Sequence, residues 1–212
     1  MIDWERGILE ALAPLRLDSG KDAGDDAVLE RFALAEAQIQ AGEFKRYRRV
    51  LAEVGRELAA YLDVELEPGG EEFLAESIAD WRPFPDTVAA LAKLGGRFRL
   101  AIVSNIDDDL VALSIDHLGA DFDHVVTAEQ VGSYKPSHNN FLRAIERVGV
   151  SKEEILHVAQ SLYHDIRPAN ELGLSNVWVN RRTGRRGYGA TAPATATPTV
   201  EVPDLATLAS LV

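Results

Sequence analysis

Arg97-Phe98-Arg99-Leu100-Ala101-Ile102-Val103-Ser104-Asn105-Ile106-Asp107 decides the reading of this chain. Residues 98–104 form a short, nearly continuous apolar run. A strand apolar on both faces belongs inside a sheet that is covered on two sides. The run ends in small polar residues, the composition of a turn into a helix. Three runs of the same kind follow, at 124–127, 155–159 and 176–179. Between them, apolar residues recur at helical spacing over 110–118, 139–148 and 167–172. Short strands alternating with helices predict an α/β core built on a doubly wound parallel sheet. In such sheets ligands bind beyond the carboxyl ends of the strands, so the residues just after each run are where chemistry is expected.

Working outward toward the N-terminus, the pattern changes. Up to about residue 96 the apolar spacing is helical and nothing reads as a buried strand. Ile8, Leu9, Leu12 and Leu15 mark a first helix, and Val28, Leu29, Phe32 and Leu34 begin a second. Tyr47, Val50, Leu51, Val54, Leu58 and Leu62 mark a third. A short helix is expected around 73–78, after the Pro68-Gly69-Gly70 break. Pro83 and Pro85 make a stiff linker, and Asp86 is well placed to cap a helix over 87–94. The expected division is a helical cap over 4–81 and an α/β core over 83–212. Toward the C-terminus, 181–199 reads as a loop and 203–211 as a closing helix. No internal repeat is present.

The 212 residues suffice for one sizeable α/β domain or a modest domain with a small partner. Lys plus Arg number 22 against 34 Asp plus Glu, a net charge of −12. No basic stripe offsets that acidity, which argues against nucleic acid or an anionic membrane as partner. The absence of cysteine excludes disulfides, thiolate catalysis and Cys-ligated zinc. The charged N-terminal residues lack the apolar stretch of a secretory signal, and no run approaches the ~20 residues of a membrane span. A cytoplasmic protein is expected.

The candidate site residues stand where the strands end. Ser104 and Asn105 follow the first strand and would hold an anionic group, although Ser, Asn and Asp also cap helices. Lys135, fixed by Pro136, would neutralise a carboxylate or a developing anion. Asp165 opens a helix after the third strand, and Ser161 and Tyr163 precede it. Asp165 alone reads equally as a cap or as a group that holds a water, orients Lys135 or contributes to a metal site. His164 is left out of this set, since a lone histidine at a helix start is more often structural. Asn180, Arg181 and Tyr188 are weak signals. Arg46-Tyr47-Arg48-Arg49 reads most simply as a solvated helix face.

Taken together, Ser104-Asn105, Lys135-Pro136 and Asp165 resemble motifs two, three and four of the haloacid dehalogenase superfamily. Ile2-Asp3-Trp4-Glu5-Arg6-Gly7-Ile8 looks like the segment directly after motif one in its type II dehalogenase branch. Three stretches, 133–136, 161–165 and 187–191, look closer to azetidine-2-carboxylate hydrolase-like members. The resemblance implies hydrolysis of a small 2-substituted carboxylic acid through an aspartyl ester, by loss of halide or opening of a strained ring. Lys135 would stabilise the nucleophile's charge. Ser104 and Asn105 would position it or the substrate carboxylate, and Asp165 would orient Lys135 or assist the hydrolytic water. Ser161 and Tyr163 are second choices. The resemblance allows a homodimer without requiring one.

The chain departs from the family twice. Motif one, a strand ending in the nucleophilic aspartate, does not occur, and Asp3 falls beyond its turn. The chain as written is therefore expected to be inactive, to lack the central strand of its sheet, and to be poorly soluble or partly unfolded. An upstream start missed in the gene model would explain this. Secondly, Gln160 stands where the superfamily's phosphatases place an acid that helps hold Mg²⁺. A neutral amide weakens a hard-cation site, so no cofactor or metal is expected. A Mg²⁺-dependent phosphatase and a non-catalytic binding relative remain as alternatives.

Overall fold

The computed structural model describes all of residues 1–212. The first part of the chain is helical, as its 3.6-residue spacing requires. Helices α1 (Trp4–Asp18), α2 (Asp25–Gln40), α3 (Tyr47–Tyr61) and α4 (Phe73–Ser77) follow one another. Asp3 caps α1 by accepting from the Arg6 amide at 3.2 Å. Gly7 lets α1 lie directly on the Trp81 ring, where a Cβ would come within 2.4 Å of ring carbon. Trp4 meets the same ring edge-on at 4.8 Å.

The α/β part begins with α5 (Thr87–Gly95) and continues as β1 (Ala101–Ser104), α6 (Asp108–Leu118) and β2 (His124–Thr127). Then come α7 (Ala128–Val131), α8 (His138–Val148), β3 (Leu156–Ala159), α9 (Arg167–Glu171) and β4 (Ser175–Val179). The chain closes with β5 (Val200–Val202) and α10 (Leu205–Leu211). Every strand pairing is parallel. One sheet holds β1 and β2, the other holds β3, β4 and β5, and β1 does not pair with β3. The inner edges of β1 and β3 are left without a strand between them.

The hydrophobic core falls into three groups, one of them Phe141, Ala169 and Leu174, and α5 contributes Leu91 to the first and Ala90 to the second. A cluster of 26 buried residues runs from the helices through Ile102, Ile106, Leu110 and Ala128 to Tyr134. A separate group of six joins Ala90 of α5 to Val177, Val179, Val202, Leu205 and Leu208.

Four local expectations are corrected. The first strand starts at Ala101, because Phe98 still donates to Leu94 O at 2.8 Å and its ring is half-exposed. Asp86 stands at the N-cap of α5, but its carboxylate makes no capping bond there. Its carboxylate takes both Arg181 guanidinium N–H groups, at 2.7 and 2.9 Å, and the Leu205 amide at 2.8 Å. The closing strand β5 is absent from the sequence reading, since three residues between Pro198 and Pro203 give no pattern. The helix after β3 is entered through a π-helical turn, Leu162–Ile166. No helix is long and apolar enough to cross a membrane.

Candidate active site

The site forms where β1 and β3 end, on the two sides of the split sheet. Asn105 follows β1 and binds the Lys135 backbone with both ends of its amide. Its Nδ2 donates to Lys135 O at 2.9 Å, and its Oδ1 accepts from Lys135 N at 2.6 Å. That double contact fixes the 132–136 loop against the end of β1. From there the Lys135 side chain crosses to the other sheet. Its Nζ donates to Val103 O of β1 at 2.9 Å and to Asp165 Oδ1, beyond β3, at 2.7 Å. Lys135 is thus the polar tie between the two sheet halves.

Lys135 and Asp165 are both buried, 9% and 5% exposed, so the pair has little solvent screening. Asp165 Oδ1 also accepts from His157 Nε2 at 2.9 Å. Burial by itself would raise the Asp165 pKa. The Lys135 charge and the His157 hydrogen bond outweigh it and hold the carboxyl well below the usual carboxylate range. Asp165 is therefore a permanent anion and a weak base. It holds Lys135 in place.

Ser104 is half-buried at the carboxyl end of β1, on the same loop as Asn105. Ser161 is buried at the entry of the π-helical turn, where its Oγ accepts from the His164 amide at 3.0 Å. Tyr163 is half-buried, with the Arg167 guanidinium 5.0 Å over its ring. Tyr188 and Gln160 line a small cavity of about 70 Å³ together with Trp178 and Arg182. The structure thus brings Lys135, Asn105 and Asp165 together in one bonded group. Ser161 shapes the turn that carries Asp165.

Two roles in this neighbourhood escaped the sequence reading. His157 sits inside a strand, where a single histidine gives no signal until its partner is known. Asp107 has a larger effect. Its buried carboxylate accepts the Tyr47 and Arg48 amides of α3, at 2.8 and 2.9 Å. Arg46 and Arg48 flank this contact with ion pairs to Asp109 and Glu129. The arginine side chains are solvated, and those of Arg46 and Arg48 also form part of a joint between the helices and the sheet. Asp107, Asp109 and Glu129 lie close enough to hold a cation, but the arginines and the α3 amides already occupy them.

A cleft of about 840 Å³ separates α1 and α2 from Phe84, Gln160, Arg181 and Arg185. Arg182 bridges it, with Nη1 on Glu5 at 2.6 Å and Nη2 on Asp26 at 2.7 Å.

Comparison with known proteins agrees with this architecture. The family model for haloacid dehalogenase-like hydrolases matches residues 5–173. A glyceraldehyde 3-phosphate phosphatase of Methanothermobacter thermautotrophicus is 29% identical over 188 residues, 77% of this chain and 82% of that protein. The (S)-2-haloacid dehalogenase H-109 of Pseudomonas putida is 27% identical over 168 residues, 77% of this chain and 72% of that one. The structure of L-2-haloacid dehalogenase from Xanthobacter autotrophicus superposes with a TM-score of 0.77 at 18% identity, over 100% of this chain and 93% of that one. The chain belongs to the haloacid dehalogenase-like hydrolase family.

Proposed function

We propose that the protein hydrolyses a small 2-substituted carboxylic acid, by displacing halide or opening a strained ring, through an ester on an aspartate. The carrying observation is Lys135 Nζ, buried and set between β1 and Asp165. A cation held there lowers the energy of a carboxylate nucleophile and of the charge that returns to it when the ester is cleaved. Asp165 orients Lys135 and Asn105 fixes its backbone. Ser104 lies at the strand end, where the substrate carboxylate is read. The nucleophile in this reading lies on a strand between β1 and β3. No strand of these 212 residues occupies that place. Residues 4–81 act as a cap that closes over the site through the Arg182 side of the cleft.

The similarity to a phosphatase supplies the competing reading. A phosphatase of this kind needs Mg²⁺, which takes carboxylate and phosphate oxygens. The residues here fit it poorly. Gln160 is neutral, and one Asp165 oxygen already takes two N–H donors. The test uses protein purified from its native cells, offered 2-chloropropanoate, azetidine-2-carboxylate and para-nitrophenyl phosphate, each with and without Mg²⁺. Metal-independent release of chloride or ring-opened product supports the reading. Mg²⁺-dependent phosphate release, with neither acid consumed, overturns it.

A further inference from the structure

Three successive residues of the loop before α8 are each anchored to a different part of the molecule. Ser133 is held by α8, where Asn140 Nδ2 donates to Ser133 O at 2.7 Å and Asn140 Oδ1 accepts from Ser133 Oγ at 3.0 Å. Lys135 is held by Asn105 at the end of β1. Tyr134, between them, is held by the helical part. Its hydroxyl donates at 2.7 Å to Lys45 O, in the segment that joins α2 to α3. Its ring lies 5.3 Å from that of Phe44 in the same segment and 6.2 Å from that of Tyr47 in α3. Tyr134 is 7% exposed and belongs to the 26-residue cluster of the helices. Burial, then the charges of Asp107 and Glu36, push its pKa above the usual 10. The hydroxyl therefore keeps its proton and acts as a donor, not as a base.

The loop after β1 repeats the arrangement. Asn105 grips the Lys135 backbone, and Asp107, two residues on, accepts the Tyr47 and Arg48 amides. Each of the two loops that meet at Lys135 thus has one residue bonded to the other loop and a near neighbour bonded around the start of α3. A planar peptide joins Tyr134 to Lys135, so a displacement of one is passed to the other. The lysine has little tolerance for it. Its Nζ must reach Val103 O and Asp165 Oδ1 at once, at 2.9 and 2.7 Å, and hydrogen bonds weaken steeply with angle.

We propose that Tyr134 is a positioning residue for Lys135: its hydroxyl and ring make the direction of the lysine depend on the docking of the helices against the sheet. Its consequence for catalysis rests on the reading under Proposed function. There, Lys135 stands beside the nucleophile only while residues 4–81 are docked, so closing the cap completes the site.

The experiment follows the Lys135 ammonium by nuclear magnetic resonance in ¹⁵N-lysine-labelled protein, with its signal assigned by its loss in Lys135→Met. Tyr134→Phe keeps the ring and removes the bond to Lys45. The expected result is a shifted Lys135 resonance whose protons exchange with water about fivefold faster, the factor that one net hydrogen bond supplies. Amides of β4 and β5 keep their rates. In the active protein, kcat for 2-chloropropanoate falls by about the same factor while KM stays within about twofold. A Tyr134→Phe protein whose Lys135 resonance and exchange match the parent's overturns the inference, and the hydroxyl is then a structural tie alone. Faster exchange shared equally by β4 and β5 is general loosening and overturns it as well. If the unaltered active protein consumes neither 2-chloropropanoate nor azetidine-2-carboxylate, the hydrolase reading fails, and the lysine resonance still decides whether Tyr134 positions Lys135. Should Tyr134→Phe fail to fold, Phe44→Leu, which loosens the ring contact from the helical side, is read in the same way.

Discussion

Asp107 caps a helix that is not its own: its carboxylate, at the start of α6, accepts the Tyr47 amide of α3 at 2.8 Å. The Arg48 amide lies 2.9 Å from the other oxygen. Residue 46, at the N-terminus of α3, is an arginine and offers no acceptor to these amides. A carboxylate at this position also suits the partial positive charge of the helix N-terminus. The helical part of the molecule is thereby pinned to the sheet at one edge. Its other edge is held by the Arg182 pairs across the cleft.

Asp107→Ala leaves two N–H groups without an acceptor in a buried place. We expect a loss of about 2 kcal/mol in urea unfolding. The flanking ion pairs of Arg46 and Arg48 are exposed, so Arg46→Ala and Arg48→Ala are expected to cost under about 1 kcal/mol each. Equal losses for all three would remove Asp107 from its place as the pin.

The Lys135–Asp165 pair is expected to behave as a buried ion pair. Removing one partner strands the other charge, which costs about 3–5 kcal/mol. Asp165→Asn and Lys135→Met should each show that loss, and the double variant should lose less than their sum. In the active protein Lys135→Met should lower kcat at least about a hundredfold. Additive losses, or a Lys135→Met protein that keeps its activity, would contradict this.

Glu36 gives a pH dependence whose sign follows from its burial. Desolvation raises its pKa to about 7, against a partial opposing effect from the Tyr47 hydroxyl, which donates to it at 2.5 Å. Below the unfolded value of 4.5 the group is protonated in both states and has no effect. Between 4.5 and about 7 the unfolded chain ionises while the folded one stays neutral. Stability therefore falls across that window, by about 3 kcal/mol in total. Glu36→Gln keeps an acceptor for Tyr47 and should remove this slope. A denaturant series at pH 5 and pH 8 checks it. A variant no more stable than the parent at pH 8 would contradict the account.

The alternating strand and helix runs were legible because each strand is short, apolar and bounded by polar turn residues. The Lys135–Asp165 pair was one of several open readings from its place at the strand ends, and the resemblance to motifs favoured it, since a lysine and an aspartate 30 residues apart carry no pattern. His157 was not legible, because its meaning depends on Asp165 lying 2.9 Å away across the strand end. Asp107 was ambiguous for a related reason. An aspartate before a helix reads as a local cap, and nothing local tells that it faces Tyr47 instead. Asp86 failed in the same way, with Arg181 95 residues distant as its partner. The strand β5 is three residues long and too short for any period to show.

The division of the sheet and of the core makes a thermal prediction. The 26-residue cluster includes β1 with the helices, while β4, β5 and α10 share a separate one of six, and α5 contributes a residue to each. Scanning calorimetry of the 212-residue chain should show a broad or stepwise transition, with van't Hoff enthalpy below the calorimetric one. A single sharp two-state melt would show that the halves are coupled more strongly than the split sheet allows.

The central claim is that substrate is attacked by a carboxylate held beside Lys135, and water enters only afterwards. Single-turnover hydrolysis of 2-chloropropanoate in ¹⁸O-water tests it most directly, with native-source protein in excess over substrate. The account predicts lactate whose hydroxyl oxygen is unlabelled, with the label left on one protein carboxylate. Lactate labelled in its first turnover would mean direct attack by water, and would contradict it.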